Sequence, residues 1–211
     1  MAVTEMNRKK HPNKKRTPRK KTRKKRKKNH RYKELSQEIG ITCLIVVVLG
    51  VLCSQFVFAL PQTIGYGMRE SLNDGDRVYV NRLGKLRRFS LVYFKQPDGN
   101  GTSIRRIIGL PQETVRYSND ELYINDRLIV ERFLQRALAQ AKLDNEMITE
   151  DFDSADILKT NTGMIPKDKY LVLGDNRKYA TDSRYYGVVD KQMIIGTVEL
   201  RWWPFYQVRS Y

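Results

Sequence analysis

The chain has 211 residues and a formal net charge of +17, concentrated at one end. Residues 1–33 hold 17 Lys and Arg against a single acid, Glu5, whereas residues 34–211 hold 23 basic against 22 acidic residues. That imbalance excludes a uniformly basic nucleic-acid-binding body and describes a basic tail on a nearly neutral domain.

Residues 1–33 contain almost no apolar side chains, cannot bury enough surface to fold, and are expected to be a disordered cytoplasmic tail. The next segment, 34–60, is read as an anchor. Within it "IGITCLIVVVLGVLCSQFVFAL", residues 39–60, runs 22 residues without a charge. That length crosses about 30 Å of hydrocarbon as a helix. A cleaved signal peptide is the alternative, with "VFA" at 57–59 as its cleavage site, but such peptides have apolar cores of roughly 7–15 residues. The basic block lies on one side of the span, so the positive-inside rule places the N-terminus in the cytoplasm and residues 61–211 outside. A basic run can bind nucleic acid. Beside a span it marks orientation and holds anionic lipid, so membrane lipid is the expected partner of the tail and nucleic acid is not.

Both cysteines, Cys43 and Cys53, lie in the span, so the outer 151 residues must build a core without disulfides. Strand signals dominate that region. "DRVYVNRL", "FSLVYFKQ", "SIRRIIGL", "ETVRYSNDELYIND", "DKYLVLGD" and "MIIGTVELRWW" are rich in β-branched and aromatic residues and end near turn formers. Residues 131–165 differ. They begin with Leu134, Leu138 and Ala141 at helical spacing and read as a small insert. The fold class is mainly β, an antiparallel sheet domain with one insert, preceded by one transmembrane helix.

Elimination narrows the chemistry. His11 and His30 are the only histidines and both are in the tail. The outer domain therefore lacks a Ser-His or Cys-His arrangement and has no His or Cys for zinc. "NDGD" and "DNEMITEDFD" lack EF-hand spacing, and no phosphate-cradling loop is present. No metal or cofactor is expected.

A Ser-Lys type of hydrolase remains. "GYGMRESLNDGDRVYV", "RRIIGLPQE" and "LGDNRKYATDSRYYGVV" follow the span in that order. Together they resemble the three motif boxes of the type I signal peptidases: Ser-Met-x-Pro-Thr-Leu-x-x-Gly-Asp, Lys-Arg-Val-Ile-Gly-x-Pro-Gly-Asp and Gly-Asp-Asn-x-x-x-Ser-x-Asp-Ser-Arg. A single anchor before an outer β domain fits the Gram-positive members. The resemblance covers roughly residues 39–211.

The departures concern the chemistry itself. Aligned on Met68, Leu72, Gly75 and Asp76, the serine nucleophile of the first box falls on Gly67, its Pro on Glu70 and its Thr on Ser71. Aligned on Arg106, Ile107, Ile108, Gly109 and Pro111, the lysine of the second box falls on Arg105 and its Gly-Asp on Gln112-Glu113. Gly67 carries no hydroxyl to form an acyl-enzyme. Arg105 cannot supply a neutral amine, since the guanidinium pKa is about 13.8. Removing a serine-protease nucleophile alone costs roughly 10⁶-fold in turnover. Ser71 and Ser103 are the candidate displaced nucleophiles, but neither has an evident amine partner, and Lys95 reads as a solvated surface amine. In the third box Gly174, Asp175, Asn176, Asp182, Ser183 and Arg184 are kept. The resemblance implies that they brace the site, with an Asp175–Arg184 ion pair and with Ser183 near the base position, facing Arg105. Gly65, two residues before Gly67, reads as a turn residue or a point of close backbone approach. Trp202 and Trp203 near the C-terminus read as a core or interfacial aromatic cluster.

The resemblance thus implies a pseudoenzyme whose groove binds an extended peptide along a strand edge without cutting it. Signal-peptidase-like proteins with a lost dyad assist sortase-dependent pilus assembly in Gram-positive bacteria, which makes a pilin or a sortase the expected partner by analogy. The alternative is an active signal peptidase, a serine endopeptidase of secreted preproteins, with a displaced nucleophile.

Overall fold

A computed structural model describes residues 21–69, 71–99, 101–160 and 162–211. The chain divides into two compact units, one ending at Val51 and one running from Leu52 to Tyr211.

Helix α1 spans Lys21–Val57. Its part Arg31–Val57 is long and apolar enough to cross a membrane, with a mean hydropathy of 2.4, and its apolar side chains are uncovered. The helix starts inside the segment expected to be disordered, because Lys and Arg are good helix formers and extending an existing helix avoids the cost of nucleation. It ends three residues before the expected boundary at 60, where Phe58–Ala59 turns into strand β1. The expectation for residues 1–20 lies outside the described residues.

The β unit is built on one large antiparallel sheet. In chain order its strands are β1, β2 (Arg77–Asn81), β3 (Leu91–Lys95) and β4 (Thr102–Gly109). A small sheet interrupts the order with β5 (Val115–Ser118), β6 (Glu121–Ile124) and β7 (Arg127–Ile129). Helix α2 (Gln135–Leu143) and β8 (Phe152–Asp153) follow. The chain then returns to the large sheet through β9 (Lys169–Leu173), helix α3 (Ser183–Tyr186), β10 (Val189–Asp190), β11 (Ile194–Trp203) and β12 (Arg209–Ser210). The large sheet has the order β1-β2-β11-β3-β4-β9-β10, with β12 beside β11, and the small one the order β7-β6-β5-β8. All six predicted strand segments form strands. The insert does more than expected: β8 pairs with β5, so the excursion after β7 closes the small sheet.

Strand β4 positions the site. It lies between β3 and β9 and is buried from Ile104 to Gly109. Successive side chains of a strand project to opposite faces. Ile104 accordingly joins a cluster with Met68, Leu72 and Leu91, while Ile107 joins one with Val92, Tyr170 and Tyr186. Arg105 and Arg106, side by side in this buried strand, are forced inside on opposite faces, where each guanidinium must find partners.

A buried clamp ties the small sheet to the loop after β9. Arg177 is 2% exposed and pairs with Glu131 at 2.5 Å. Glu131 also accepts from the hydroxyl of Tyr117 on β5 at 2.9 Å, and the Arg177 guanidinium lies over the Tyr117 ring. The Thr149 hydroxyl accepts a further Arg177 N–H. Removing one partner strands a buried charge, so Glu131→Ala is expected to destabilise the β unit by about 3–5 kcal/mol, read from urea unfolding.

Candidate functional site

The site is a loop, residues 63–76, whose Gly67 and Ser71 meet Arg105 and Arg106 in the middle of β4. Its ends are closed by backbone hydrogen bonds, Thr63 N–H to the Asp76 carbonyl at 2.7 Å and Gly75 N–H to the Thr63 carbonyl at 3.0 Å. The Asp76 carboxylate accepts the Asn73 N–H at 2.8 Å and an Arg201 N–H at 2.9 Å, which ties the loop to β11. Gly65 has φ +81° and no atom near the position of a Cβ, so it serves the turn, and its N–H donates to Asp74 at 2.7 Å. Close approach belongs to Gly67. A Cβ there would lie 3.1 Å from both Cζ and Nη2 of Arg105. The two degenerate positions identified from the sequence are therefore neighbours in space, as a nucleophile and its base must be.

Arg105 is buried, and its guanidinium is spent on backbone. Nε and Nη2 donate to the Thr181 carbonyl at 3.0 and 2.8 Å, and Nη1 donates to the Ile104 carbonyl at 2.6 Å. Ser183 does not face it. The Ser183 hydroxyl accepts the Val172 N–H at 2.9 Å. Counted along the third box, the serine that precedes x-Asp-Ser-Arg falls on Ala180, a departure that the sequence reading missed by stopping at the serine kept in place. Ala180 is buried, against the position of a Gly174 Cβ.

On the other face, Arg106 forks onto Asp175, with Nε to Oδ1 at 2.8 Å and Nη2 to Oδ2 at 2.5 Å. Nη2 also donates to the Ser71 hydroxyl at 3.0 Å, and that hydroxyl donates to Asp175 Oδ2 at 2.5 Å. Phe133 covers the guanidinium at 4.0 Å. The expected Asp175–Arg184 pair is thus replaced by Asp175–Arg106. Arg184 pairs instead with Asp182, two residues away, because the Asp182 carboxylate caps α3 by accepting the Arg184 N–H and is already within reach. Asp182 also accepts the Gly174 N–H at 3.0 Å.

The turn after β9 holds the loop directly. Asn176 donates its N–H to the Gly67 carbonyl and its side-chain amide to the Tyr66 carbonyl, both at 3.0 Å. The Asp175 N–H reaches the Met68 sulfur at 3.4 Å. A Cβ on Gly174 would come within 2.5 Å of the Gly67 carbonyl oxygen, so only glycine lets the two loops close. At the altered end of the second box Gln112, at the position of the family's glycine, has a left-handed φ of +66°, and Glu113 accepts from the Leu110 N–H and pairs with Arg88.

The Ser71 hydroxyl is buried with its donor and acceptor both engaged by Asp175 and Arg106. Ser103 lies two residues before Arg105 on β4, and Lys95 is exposed at the end of β3. No group of His, Cys, Asp and Glu suited to a metal occurs among the described residues.

An antiparallel β domain with this loop, this turn and this paired arginine and aspartate defines a signal-peptidase-type module. The family model "Signal peptidase, peptidase S26" matches residues 36–203, and the chain belongs to that family. It is 38% identical over 180 residues to signal peptidase IB of Staphylococcus aureus, covering 82% of this chain and 92% of the relative. Signal peptidase I V of Bacillus subtilis is 35% identical over 159 residues, covering 74% and 92%. The crystal structure of a signal peptidase I from Enterococcus faecalis is similar, with a TM-score of 0.50 and 38% identity, covering 54% of this chain and 96% of that one.

Two outcomes test this geometry. Gln112 is exposed and its strain is that of a left-handed non-glycine residue, so Gln112→Gly is expected to stabilise the fold by about 1 kcal/mol in urea unfolding. Tyr186 is buried beside Arg105 with a hydroxyl that has no hydrogen-bond partner among the described residues. Burial raises its pKa well above that of a free tyrosine, and the Arg105 charge only partly offsets this. The folded state then holds the proton more tightly than the unfolded chain, so stability is full below about pH 10 and falls above it as unfolded tyrosine ionises. Tyr186→Phe is expected to leave stability at neutral pH within about 1 kcal/mol and to flatten that alkaline decline, measured as Tm against pH.

Proposed function

We propose that the chain is a membrane-anchored, non-catalytic signal-peptidase-like protein that holds an extended peptide or protein partner and assists sortase-dependent assembly of pili or surface proteins. The observation that carries the reading is the Gly67–Arg105 contact. Where acyl transfer needs a hydroxyl beside a neutral amine, a bare glycine meets a guanidinium bonded to two carbonyls. The scaffold around that pair is intact down to the buried Arg106–Asp175 fork. A scaffold kept around an emptied dyad supports binding without cleavage, by strand addition along the groove edge. The apolar segment of α1 is the anchor, and the basic tail keeps the N-terminus on the cytoplasmic side against anionic lipid.

Purified full-length protein in detergent, given a preprotein with a signal peptide, is expected not to cleave it. Gly67→Ser and Arg105→Lys are each expected to remain inactive, because each restores half of a nucleophile–amine pair. Specific cleavage after a small residue, abolished by Ser71→Ala or Ser103→Ala, would overturn the reading in favour of a working peptidase. In cells, deletion of the gene is expected to reduce polymerised surface protein while preproteins are still processed.

A further inference from the structure

Residues 77–97 hold six basic side chains and no acidic one, within a body that is nearly neutral as a whole. Three of the six, Arg82, Lys85 and Arg87, are exposed on the turn after β2. Leu83, between the first two, is 74% exposed. Arg88 does not belong to this group, since it is half-buried against Glu113 and the Ile108 carbonyl. On the adjacent strand β11 the Glu199 carboxylate accepts the Thr197 hydroxyl at 2.6 Å. The turn is fixed at its start. The Leu83 N–H donates to the Asn81 side chain at 3.0 Å, and the Gly84 N–H to the Asn81 carbonyl at 3.3 Å. The turn is also bonded to the end of the apolar helix. Phe58 pairs with Asn81, and the Arg82 N–H donates to the Val57 carbonyl at 2.9 Å. Val57 is the last residue of α1, and residues 52–57 belong to the same compact unit as the sheet.

We infer that residues 82–87 are a lipid-binding surface, on which Arg82, Lys85 and Arg87 take the headgroup phosphates of anionic phospholipid and Leu83 enters the acyl boundary. The inference rests on α1 being a membrane anchor and adds a second attachment beside it. The uncharged helical stretch, residues 39–57, is about 28 Å long at 1.5 Å per residue. That matches a hydrocarbon core of about 30 Å, so the headgroup layer begins at Val57. A turn bonded to Val57 meets that layer. Arginine offers phosphate oxygens a fork of N–H donors, and lysine offers a point charge. An exposed leucine flanked by cations suits the boundary between headgroups and acyl chains, where its side chain leaves water while the charges stay in it. Two attachments on one unit, the helix end and the turn, restrict how that unit can rotate over the bilayer. Because β2 runs from the 63–76 loop to this turn, the second attachment also sets how the loop is presented to the membrane.

The test uses the full-length protein in phosphatidylcholine vesicles, with and without phosphatidylglycerol. Both vesicles carry a dilute quencher lipid brominated near the carbonyl end of its acyl chains. A bimane label reports on the turn from Leu83→Cys, in a background of Cys43→Ser and Cys53→Ser. The same label on Cys53, with Cys43→Ser alone, reports on the span. A label on Lys95→Cys in the double-serine background reports on the exposed end of β3. Quenching at position 83 is expected to be about threefold stronger with phosphatidylglycerol than without, and quenching at position 95 to be absent from both. Replacing all three cations, by Arg82→Gln, Lys85→Gln and Arg87→Gln, is expected to remove the increase, and Arg82→Lys with Arg87→Lys to keep it. Should the triple variant not fold, raised salt decides, and it is expected to abolish the increase with the cations in place. Equal quenching at position 83 in the two vesicles overturns the headgroup assignment, as does an increase that survives the triple substitution or raised salt. Quenching at position 95 equal to that at 83 overturns it too. No quenching at position 83 while the Cys53 label is quenched overturns the surface and leaves the anchor standing. Quenching at neither position overturns both.

Discussion

The fork of Arg106 onto Asp175 is the interaction on which the rest of the site depends. It joins three segments distant in sequence: β4, the turn after β9 and, through the Ser71 hydroxyl, the 63–76 loop. Both partners are almost fully buried, so the pair needs further hydrogen bonds to offset its desolvation. It has them. Asp175 receives the hydroxyl of Ser71, Arg106 reaches the Phe89 carbonyl, and Phe133 closes the outer face. Shifting the register of this loop to bring Ser71 forward would cost both buried charged groups their hydrogen bond with the Ser71 hydroxyl.

Next to this fixed frame lies the Gly67–Arg105 contact. Function resides in a few atoms at a site rather than in the architecture. The Asn176 and Gly174 contacts hold the loop that brings this glycine to the arginine. Arginine even adds to the frame, since its bonds to the Thr181 and Ile104 carbonyls occupy acceptors on two elements. A smaller amine would reach fewer of them.

Much of the β scaffold was legible in the sequence because its strands alternate or run apolar and end at turn residues. The less legible parts had weak local signals. β8 has two residues, and nothing in "FD" marks a strand; it forms because β5 offers an open edge. The helical continuation from Lys21 to the apolar span was obscured by charge, which argues against burial but not against helix. Gln112 conceals a glycine-like backbone behind an unremarkable side chain.

Composition, the uncharged run at 39–60 and the three ordered boxes together determined the β class, the family and a helix long and apolar enough to cross a membrane, because each is a property of residue type and order. Tertiary structure alone decided the partners. Asp175 meets Arg106 rather than Arg184, and Arg105 meets Thr181 rather than Ser183. Pairing among buried charges depends on which strand face and which turn a side chain leaves from, and with three arginines and two aspartates near one site the residue types permit several solutions. The fold admits one, since Asp182 is already spent at the start of α3 and β4 sends its two arginines to opposite faces.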